Sequence, residues 1–324
     1  MGRLGAHPCQ VLQKRETSGT RRGGDGAQRR VTPLLNTEEL MKPIVAVIAA
    51  GAMGSGVGGR LAENGIEVRT TVAGRSAATA ARANAAGMRD ASDTEIAGAD
   101  IILSIVPPGE ALGLAERLAP VLRTASKKPI YVDCNAVNPG TVLRIARVIE
   151  ETGASFVDGG IIGGPPMPGS KGTRIYLSGA AAPQVAVLEQ YGLEMPIQRG
   201  PIGAASAMKM SYAGITKGFT ALGAAMMLAA TRAGTAQDLK QELLASQPAL
   251  VGWLTRQMPK MYSKAYRWVA EMEEISAFLE QNPPSRDIYA AIARLYAYLA
   301  EAEAEKEPGP DNAVRTLDRV LGRR

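Results

Sequence analysis

Residues 44–59, reading IVAVIAAGAMGSGVGG, constrain the fold of this chain more than any other stretch. Residues 44–48 are rich in β-branched side chains and read as a buried strand, and the small residues after them read as a tight turn opening into a helix. That order is the first strand–turn–helix unit of a dinucleotide-binding fold, where backbone N–H groups and the positive end of a helix meet a pyrophosphate. The glycine pattern GxGxxG is incomplete. Ala49 stands in the first place, while Gly51 and Gly54 hold the second and third. The second glycine matters most for a ligand, because any side chain there would fill the volume the phosphates need. Ala49 narrows the backbone angles open to the turn. Gly51, Ala52, Met53 and Gly54 are the expected cofactor-binding positions.

Strand and helix signals then alternate. A helix over 52–64 stops at Gly65, a strand follows at 68–72, and a second helix opens at Ser76 and stops at Gly87. Ser92 and Glu95 have capping-box spacing. An apolar strand at 100–106 is stopped by Pro107 and Pro108, and another covers 129–133. Asn138-Pro139, a cap residue and a first-turn proline, opens a helix that ends at Gly153 before a strand at 155–157. Such alternation predicts a parallel sheet with helices on both faces. Residues 158–173, DGGIIGGPPMPGSKGT, are too rich in Gly and Pro for regular structure and read as an ordered functional loop. Short strand signals at 174–178 and 195–198 precede the sharpest shift in composition. Residues 202–233 form an Ala- and Met-rich helical run, and only helical patterns follow. The predicted fold class is α/β, a Rossmann-type doubly wound parallel sheet followed by an all-α C-terminal domain. Residues 1–41 lack periodicity and read as a disordered extension or a basic interaction arm.

Composition removes several classes of function. A chain of 324 residues with 46% apolar side chains has room for about two domains and a sizeable core. Its net charge of +6 is partly owed to the first forty residues, which hold seven basic against four acidic side chains. Only 4% of residues are aromatic, which argues against a stacking surface for nucleic acid. Cys9 and Cys134 make no disulfide framework and have no metal-ligand spacing. The one histidine is His7, so no histidine serves as base or metal ligand in the folded part. Neither a membrane span nor a signal-peptide core is evident, so a soluble cytoplasmic protein without membrane or metal is expected.

Two places offer chemistry. After the second strand, a cofactor with a plain ribose wants an acidic residue, but the chain has Ala73-Gly74-Arg75-Ser76. A guanidinium and a hydroxyl at a helix start suit a 2′-phosphate, so Arg75 and Ser76 point to NADP(H). In the long helix, Lys209 shares a face with Ser206, Tyr212 and Thr216, and apolar residues fill the other sides. Burial of such a helix would lower the lysine's pKa toward the range where it exchanges a proton near neutrality.

These residues together resemble the β-hydroxyacid dehydrogenase superfamily, which includes 6-phosphogluconate and 3-hydroxyisobutyrate dehydrogenases, and most resemble a branch with a distinct helical C-terminal domain. The resemblance runs from residue 42 to about 235. By it, the NAD(P) fingerprint falls on Ala49 to Gly54, and the strand-ending pair beside the nicotinamide falls on Val106 and Pro107. The segment touching substrate and nicotinamide falls on 133–139, with Asn135 in the contact position. The substrate loop DxPVSGG falls on 158–164, including Gly163 and Gly164, and the motif GxxGxGxxxKxxxN falls on 200–213, with Lys209 as its lysine. Two departures stand out: Ile162 replaces a substrate-binding serine, and Ala213 replaces the asparagine one turn after the lysine.

The resemblance implies an NADP-binding domain over 42–200, a helical substrate and dimerisation domain over 201–324, and a homodimer. It implies an NADPH-dependent oxidoreductase acting on a small hydroxy- or keto-acid-like substrate, with Lys209 as general acid and base. Tyr212 beside Lys209 is a further candidate substrate contact and proton donor, so imine reduction or reductive amination is an alternative. Ile162 and Ala213 leave open a non-catalytic NADPH-binding regulator. Glu271, Glu273 and Glu274 read as the solvated acidic face of an amphipathic helix, Met226 and Met227 as core residues, and Cys134 as a small apolar filler.

Overall fold

Strand β1 (Val45–Ile48) has all four residues buried, and their alternation divides the sheet's surroundings in two. Val45 and Val47 enter one core with Val57 and Leu61 of α1 (Ala52–Glu63) and Ala83 of α2 (Ala77–Ala85). Ala46 and Ile48 enter a second with Ile96 of α3 (Asp93–Ala97), Leu118 of α4 (Ala111–Thr124) and Ile145 of α5 (Pro139–Glu150). These facts come from a computed structural model that describes residues 42–167 and 172–322. The extension expected at 1–41 lies outside the described residues, as do 168–171 of the expected loop. Residues 42–324 form one compact unit.

The other strands are β2 (Val68–Thr70), β3 (Arg89–Asp90), β4 (Ile101–Ser104), β5 (Ile130–Asp133), β6 (Ser155–Ile162) and β7 (Arg174–Ser178). They form one sheet in the order β3-β2-β1-β4-β5-β6-β7, parallel except for β7, which runs antiparallel to β6. The local signals hold. Ser92 and Glu95 make both bonds of the capping box, and Asn138 caps α5 by accepting from Thr141 N at 3.1 Å. Gly65, Gly87 and Gly153 end their helices with positive φ.

Two expectations need correcting, and two elements were not foreseen. The strand expected over 155–157 continues to Ile162, so residues 158–162 belong to β6 and not to a loop. Glycine lowers strand propensity because it offers no side chain to pack, but here the lack of a Cβ is what the packing uses. A Cβ on Gly159 would stand 2.9 Å from Cys134 Sγ, and one on Gly160 would stand 2.7 Å from Ala205 O. The signal at 195–198 gives only isolated bridges, Arg174 to Glu194 and Leu177 to Ile197. Helix α4, its first turn hidden behind Pro107 and Pro108, and the short β3 were not anticipated.

After α6 (Ala182–Val185) and a 3₁₀ turn (Ala186–Tyr191) the chain is helical: α7 (Ala204–Arg232), α8 (Ala236–Ser246), α9 (Pro248–Tyr262), α10 (Ala265–Phe278), α11 (Pro283–Ala304) and α12 (Ala313–Leu321). A third core of Met210, Ala221, Met258, Met272, Tyr296 and Leu317 joins them. Helix α7 has 29 residues, about 44 Å at 1.5 Å per residue. Its first turns lie on β6 and the rest runs into the helical core, so Lys209 sits where the two parts meet.

Candidate active site

At the end of β1 the chain turns through Ala49 and Ala50 into α1. Gly51 is the N-cap of α1 in an extended conformation, and a Cβ built on it meets nothing within 4 Å. A Cβ on Gly54 would stand 1.9 Å from Ala49 O. The two glycines therefore do different work: Gly54 lets the helix start hard against the turn, and Gly51 leaves the space in front of it open. Among the described residues no non-glycine residue has positive φ, Ala49 included. The first turn of α1 has no acidic residue, and the N–H groups of Ala52, Met53 and Gly54 lie where a helix has no internal acceptor for them. An open cradle faced by unpaired N–H donors and a positive helix end fits a dinucleotide's pyrophosphate.

Beyond β2, Ser76 caps α2, accepting from Thr79 N at 3.3 Å and lying 3.1 Å from the Thr79 hydroxyl. Arg75 is bound 3.2 Å from Glu110, which closes the 3₁₀ turn (Pro108–Glu110) after β4. Two further residues here escaped the sequence reading. Arg82 of α2 donates to Ala50 O at 3.4 Å and to Thr79 at 3.0 Å, reaching the glycine turn itself. Glu110 puts a carboxylate opposite the arginine expected to meet a phosphate. A basic residue one and a half turns into a helix has no sequence signature for either role.

The lysine site is built from β5, β6 and α7. Asp158, fully buried in β6, caps α7 from outside the helix: Gly203 N and Ser206 N each donate to Oδ2 at 3.0 Å, and the Ser206 hydroxyl donates to Oδ1 at 2.6 Å. The Ser178 hydroxyl adds a bond at 3.0 Å and accepts from Ala205 N at 3.1 Å. With Gly203 as N-cap, the helix has no capping side chain of its own, and a carboxylate from the sheet takes that place. Asp158, expected in a substrate loop, is thus the joint that seats α7 on the sheet.

One turn on, half-buried Lys209 donates from Nζ to Asn135 O at 3.3 Å. The Asn135 side chain is 2% exposed and fully engaged. Its Oδ1 accepts from Val106 N at 2.7 Å, and its Nδ2 donates to Ser104 Oγ at 2.8 Å and to Asp133. It holds Val106, the residue before Pro107, at the end of β4, while its carbonyl receives the lysine. The expected contact group also forms a bracket between strand end and lysine. Tyr212 is half exposed and turned away from this bracket onto the open face of α7. Gly163 has φ +123 in the mouth of the β6–β7 hairpin, where a Cβ would hit Gly172 O, and a Cβ on Gly164 would meet nothing within 4 Å. Pro166 crosses α1 at Gly56, where a Cβ would lie 2.8 Å from Pro166 O.

Burial pushes the Lys209 ammonium below the ordinary lysine range, and Glu271 pulls it part of the way back. Beneath it, Asp133 is 1% exposed with Oδ2 unpartnered, and burial together with Asp158 pushes its carboxyl up to about 7. Burial likewise raises the Cys134 thiol, which keeps it protonated and unreactive.

The acidic face expected on α10 is only partly solvated. Glu273 is exposed beside Arg286 and Arg294 in a surface groove of about 660 Å³ that contains none of the expected site residues. Glu271 instead pairs with Lys217 of α7, and Glu274 accepts from Asn138 N at 2.8 Å and Asn138 Nδ2 at 2.6 Å. The pairing partners lie 54 and 136 residues away, which helical spacing cannot reveal.

Known proteins match this arrangement. Residues 44–192 match the NAD binding domain of 6-phosphogluconate dehydrogenase, and residues 230–299 match a domain of unknown function, DUF1932. An uncharacterized protein of Methanothermus fervidus, from the 7S RNA 5′ region, is 31% identical over 180 residues, 55% of this chain and 67% of that protein. A solved conserved protein of unknown function, noted for structural similarity to 3-hydroxyacid dehydrogenases, is 30% identical with a TM-score of 0.62, covering 79% of this chain and 96% of its own. The Mycobacterium tuberculosis 3-hydroxyisobutyrate dehydrogenase solved with L-serine shares the fold, with a TM-score of 0.63 at 18% identity over 86% of this chain and 99% of its own.

Proposed function

The chain belongs to the β-hydroxyacid dehydrogenase superfamily, and on that premise we propose that it is an NADPH-dependent oxidoreductase in which Lys209 moves the proton. The observation that carries this reading is the bond from Lys209 to Asn135 O, on the segment whose side chain also holds Val106 at the end of β4. That bracket joins the lysine helix to the strand ends beside the open cradle of Gly51. The N–H groups of Ala52, Met53 and Gly54 would hold the pyrophosphate and Arg75 the 2′-phosphate. When bound, the nicotinamide supplies or accepts the hydride.

Lys209 does the acid-base work at the substrate oxygen. In oxidation its neutral amine takes the hydroxyl proton, and in reduction its ammonium returns it. Asn135 O accepts one N–H and so limits the directions in which the amine can point. Because burial holds the ammonium below the ordinary lysine range, the neutral amine is available at lower pH than on a surface lysine. Oxidation should therefore gain rate as pH rises through that lowered value, and reduction should lose it. Ile162, at the end of β6, and Ala213, buried against the helical core, make the pocket less polar than a hydroxy-acid site with serine and asparagine there. A small carbonyl or imine compound with few charged groups fits such a pocket.

The test is a panel of hydroxy acids, aldehydes, ketones and cyclic imines with NADPH and NADP, on wild type and Lys209→Ala. General acid-base catalysis contributes about 10²–10⁴-fold, so the variant should lose about that much turnover while binding NADPH as before. Full turnover by Lys209→Ala would end the assignment. NADPH binding without turnover of any compound would favour a regulator.

The active unit is a homodimer. Tyr212, Ile215, Phe219, Leu222 and Met226 stand 51–60% exposed at alternating spacings of three and four along α7. Met226, expected in the core, is in this seam, whereas Met227 is buried. No charged residue is exposed on α7 between Ser211 and Ala229. The stripe is close to symmetric about Phe219, so a second copy running antiparallel would meet it with itself. At about 100 Å² for each half-exposed large side chain, it offers roughly 500 Å² per copy, more than half of a standard partner surface.

A further inference from the structure

Arg82 stands one and a half turns into α2, with Thr79 and the cap Ser76 behind it at successive spacings of three along one side of the helix. A helical side chain leans back toward the helix start, and the Arg82 guanidinium accordingly donates to Thr79 Oγ1 at 3.0 Å. That hydroxyl in turn lies 3.1 Å from the Ser76 hydroxyl. Arg82 Nε donates at 3.4 Å to Ala50 O, on the residue before Gly51. One side chain therefore ties the start of α2, where a 2′-phosphate is expected, to the glycine turn, where the pyrophosphate is expected.

The two arginines of this corner differ in what neutralises them. Arg75 is 3.2 Å from Glu110, so its charge is already answered by a carboxylate. Arg82 takes part in no ion pair among the described residues, and its partners are a carbonyl and a hydroxyl, both uncharged. The first turn of α2 has no acidic side chain to compete for it. A guanidinium has five N–H donors, so the two bonds to Ala50 and Thr79 leave others for an oxyanion.

We propose that Arg82 is a specificity-determining residue, meeting the cofactor's 2′-phosphate as a second cation beside Arg75. This role rests on the reading of the cofactor as NADPH. A phosphate monoester carries about two negative charges near neutrality, more than one arginine shared with Glu110 can balance. Arg82 need not be released from a carboxylate first, and its two existing bonds limit the freedom it would lose on binding. A side chain that only braced the glycine turn would serve NADPH and NADH alike, because both carry the pyrophosphate. A contact to the 2′-phosphate acts on one of them.

The test needs binding alone. Full-length wild type, Arg82→Gln, Arg82→Lys and Arg75→Ala are titrated with NADPH and NADH by fluorescence, and with 2′,5′-ADP and 5′-AMP by calorimetry, the last two differing only in the 2′-phosphate. Arg82→Gln should weaken NADPH and 2′,5′-ADP about tenfold and leave NADH and 5′-AMP within about twofold of wild type. Arg82→Lys, which keeps the charge without the fork, should lose about threefold on the same two phosphorylated ligands, and it carries the test if Arg82→Gln does not fold. An equal loss for both members of each pair would make Arg82 a brace of the turn and overturn the proposal, as would wild-type NADPH affinity in Arg82→Gln. A wild type that prefers NADPH, loses the preference in Arg75→Ala and keeps it in Arg82→Gln would end this proposal alone. A wild type that binds NADH as tightly as NADPH would end the NADPH reading together with it.

Discussion

Replacing Asp158 with alanine should be among the most damaging single changes in this protein, and the size of the loss follows from its bonds. The carboxylate is fully buried and accepts from Gly203 N, Ser206 N, the Ser206 hydroxyl and the Ser178 hydroxyl. In Asp158→Ala the two hydroxyls can turn to other acceptors, but the two buried N–H groups cannot. Each orphaned donor costs about 1–3 kcal/mol, and loss of a negative charge at the start of a long helix costs about 1 kcal/mol more. The sum is about 5 kcal/mol, about 10 °C in Tm for a protein of this size. Asp158→Asn keeps one acceptor oxygen and should cost about 2 kcal/mol, and Ser178→Ala about 1 kcal/mol. Urea titrations and thermal melts of the three variants test the ranking. If Asp158→Ala melts within about 3 °C of wild type, the carboxylate is not what seats α7. A residue that only touched substrate would give that result together with a raised KM.

Gly51→Ala should leave Tm within about 1 °C and weaken NADPH binding at least about tenfold in fluorescence titrations, because its Cβ enters the open cradle. Gly54→Ala should cost about 3 kcal/mol or more of stability, since its Cβ has only the backbone oxygen of Ala49 to displace. Arg75→Ala should lower NADPH affinity about tenfold with little effect on NADH, whereas Glu110→Gln, which releases Arg75, should raise NADPH affinity. Equal NADPH and NADH affinities in wild type would remove the 2′-phosphate role. Phe219→Glu puts a charge at the centre of the α7 seam and should convert a dimer to monomer in sedimentation velocity, with a Kd raised about a hundredfold. A monomeric wild type would refute the seam.

The parts legible in the sequence are those set by short-range chemistry. Asn138-Pro139 caps a helix wherever it occurs, the spacing of Ser92 and Glu95 closes its own two bonds, and a glycine turn between an apolar strand and a helix start has few alternatives. The partial burial of Lys209 was legible for a related reason, since a lone polar wedge on an apolar helix has few places to go. The parts misread depend on partners far along the chain. Gly159 and Gly160 look like loop residues until α7 is laid across them, and then the missing side chains let the helix approach. That the amide of Asn135 is also used by Val106 and Ser104 is likewise invisible until the strand ends are brought together. Glu271 and Glu274 differ from Glu273 by what faces them, which local spacing does not encode.

The misread residues also change how the site must be understood. A lysine that moves a proton, as proposed for Lys209, needs a direction and a charge environment as much as it needs to be present. Here the direction comes from Asn135 O, which Asn135's own side chain fixes to β4 and which Glu274 steadies through Asn138. The height of Lys209 above the sheet comes from Gly160 and the Asp158 cap, one allowing close approach and the other holding it. Ile162 and Ala213, which stand where the resembled family has polar substrate contacts, lie outside this framework, at the end of β6 and against the helical core. On the proposed reading, substrate preference can therefore vary at those two positions without disturbing the lysine. Restoring serine at 162 and asparagine at 213 should change which compounds are turned over while leaving the pH dependence of turnover, which reports the surroundings of Lys209, close to that of wild type.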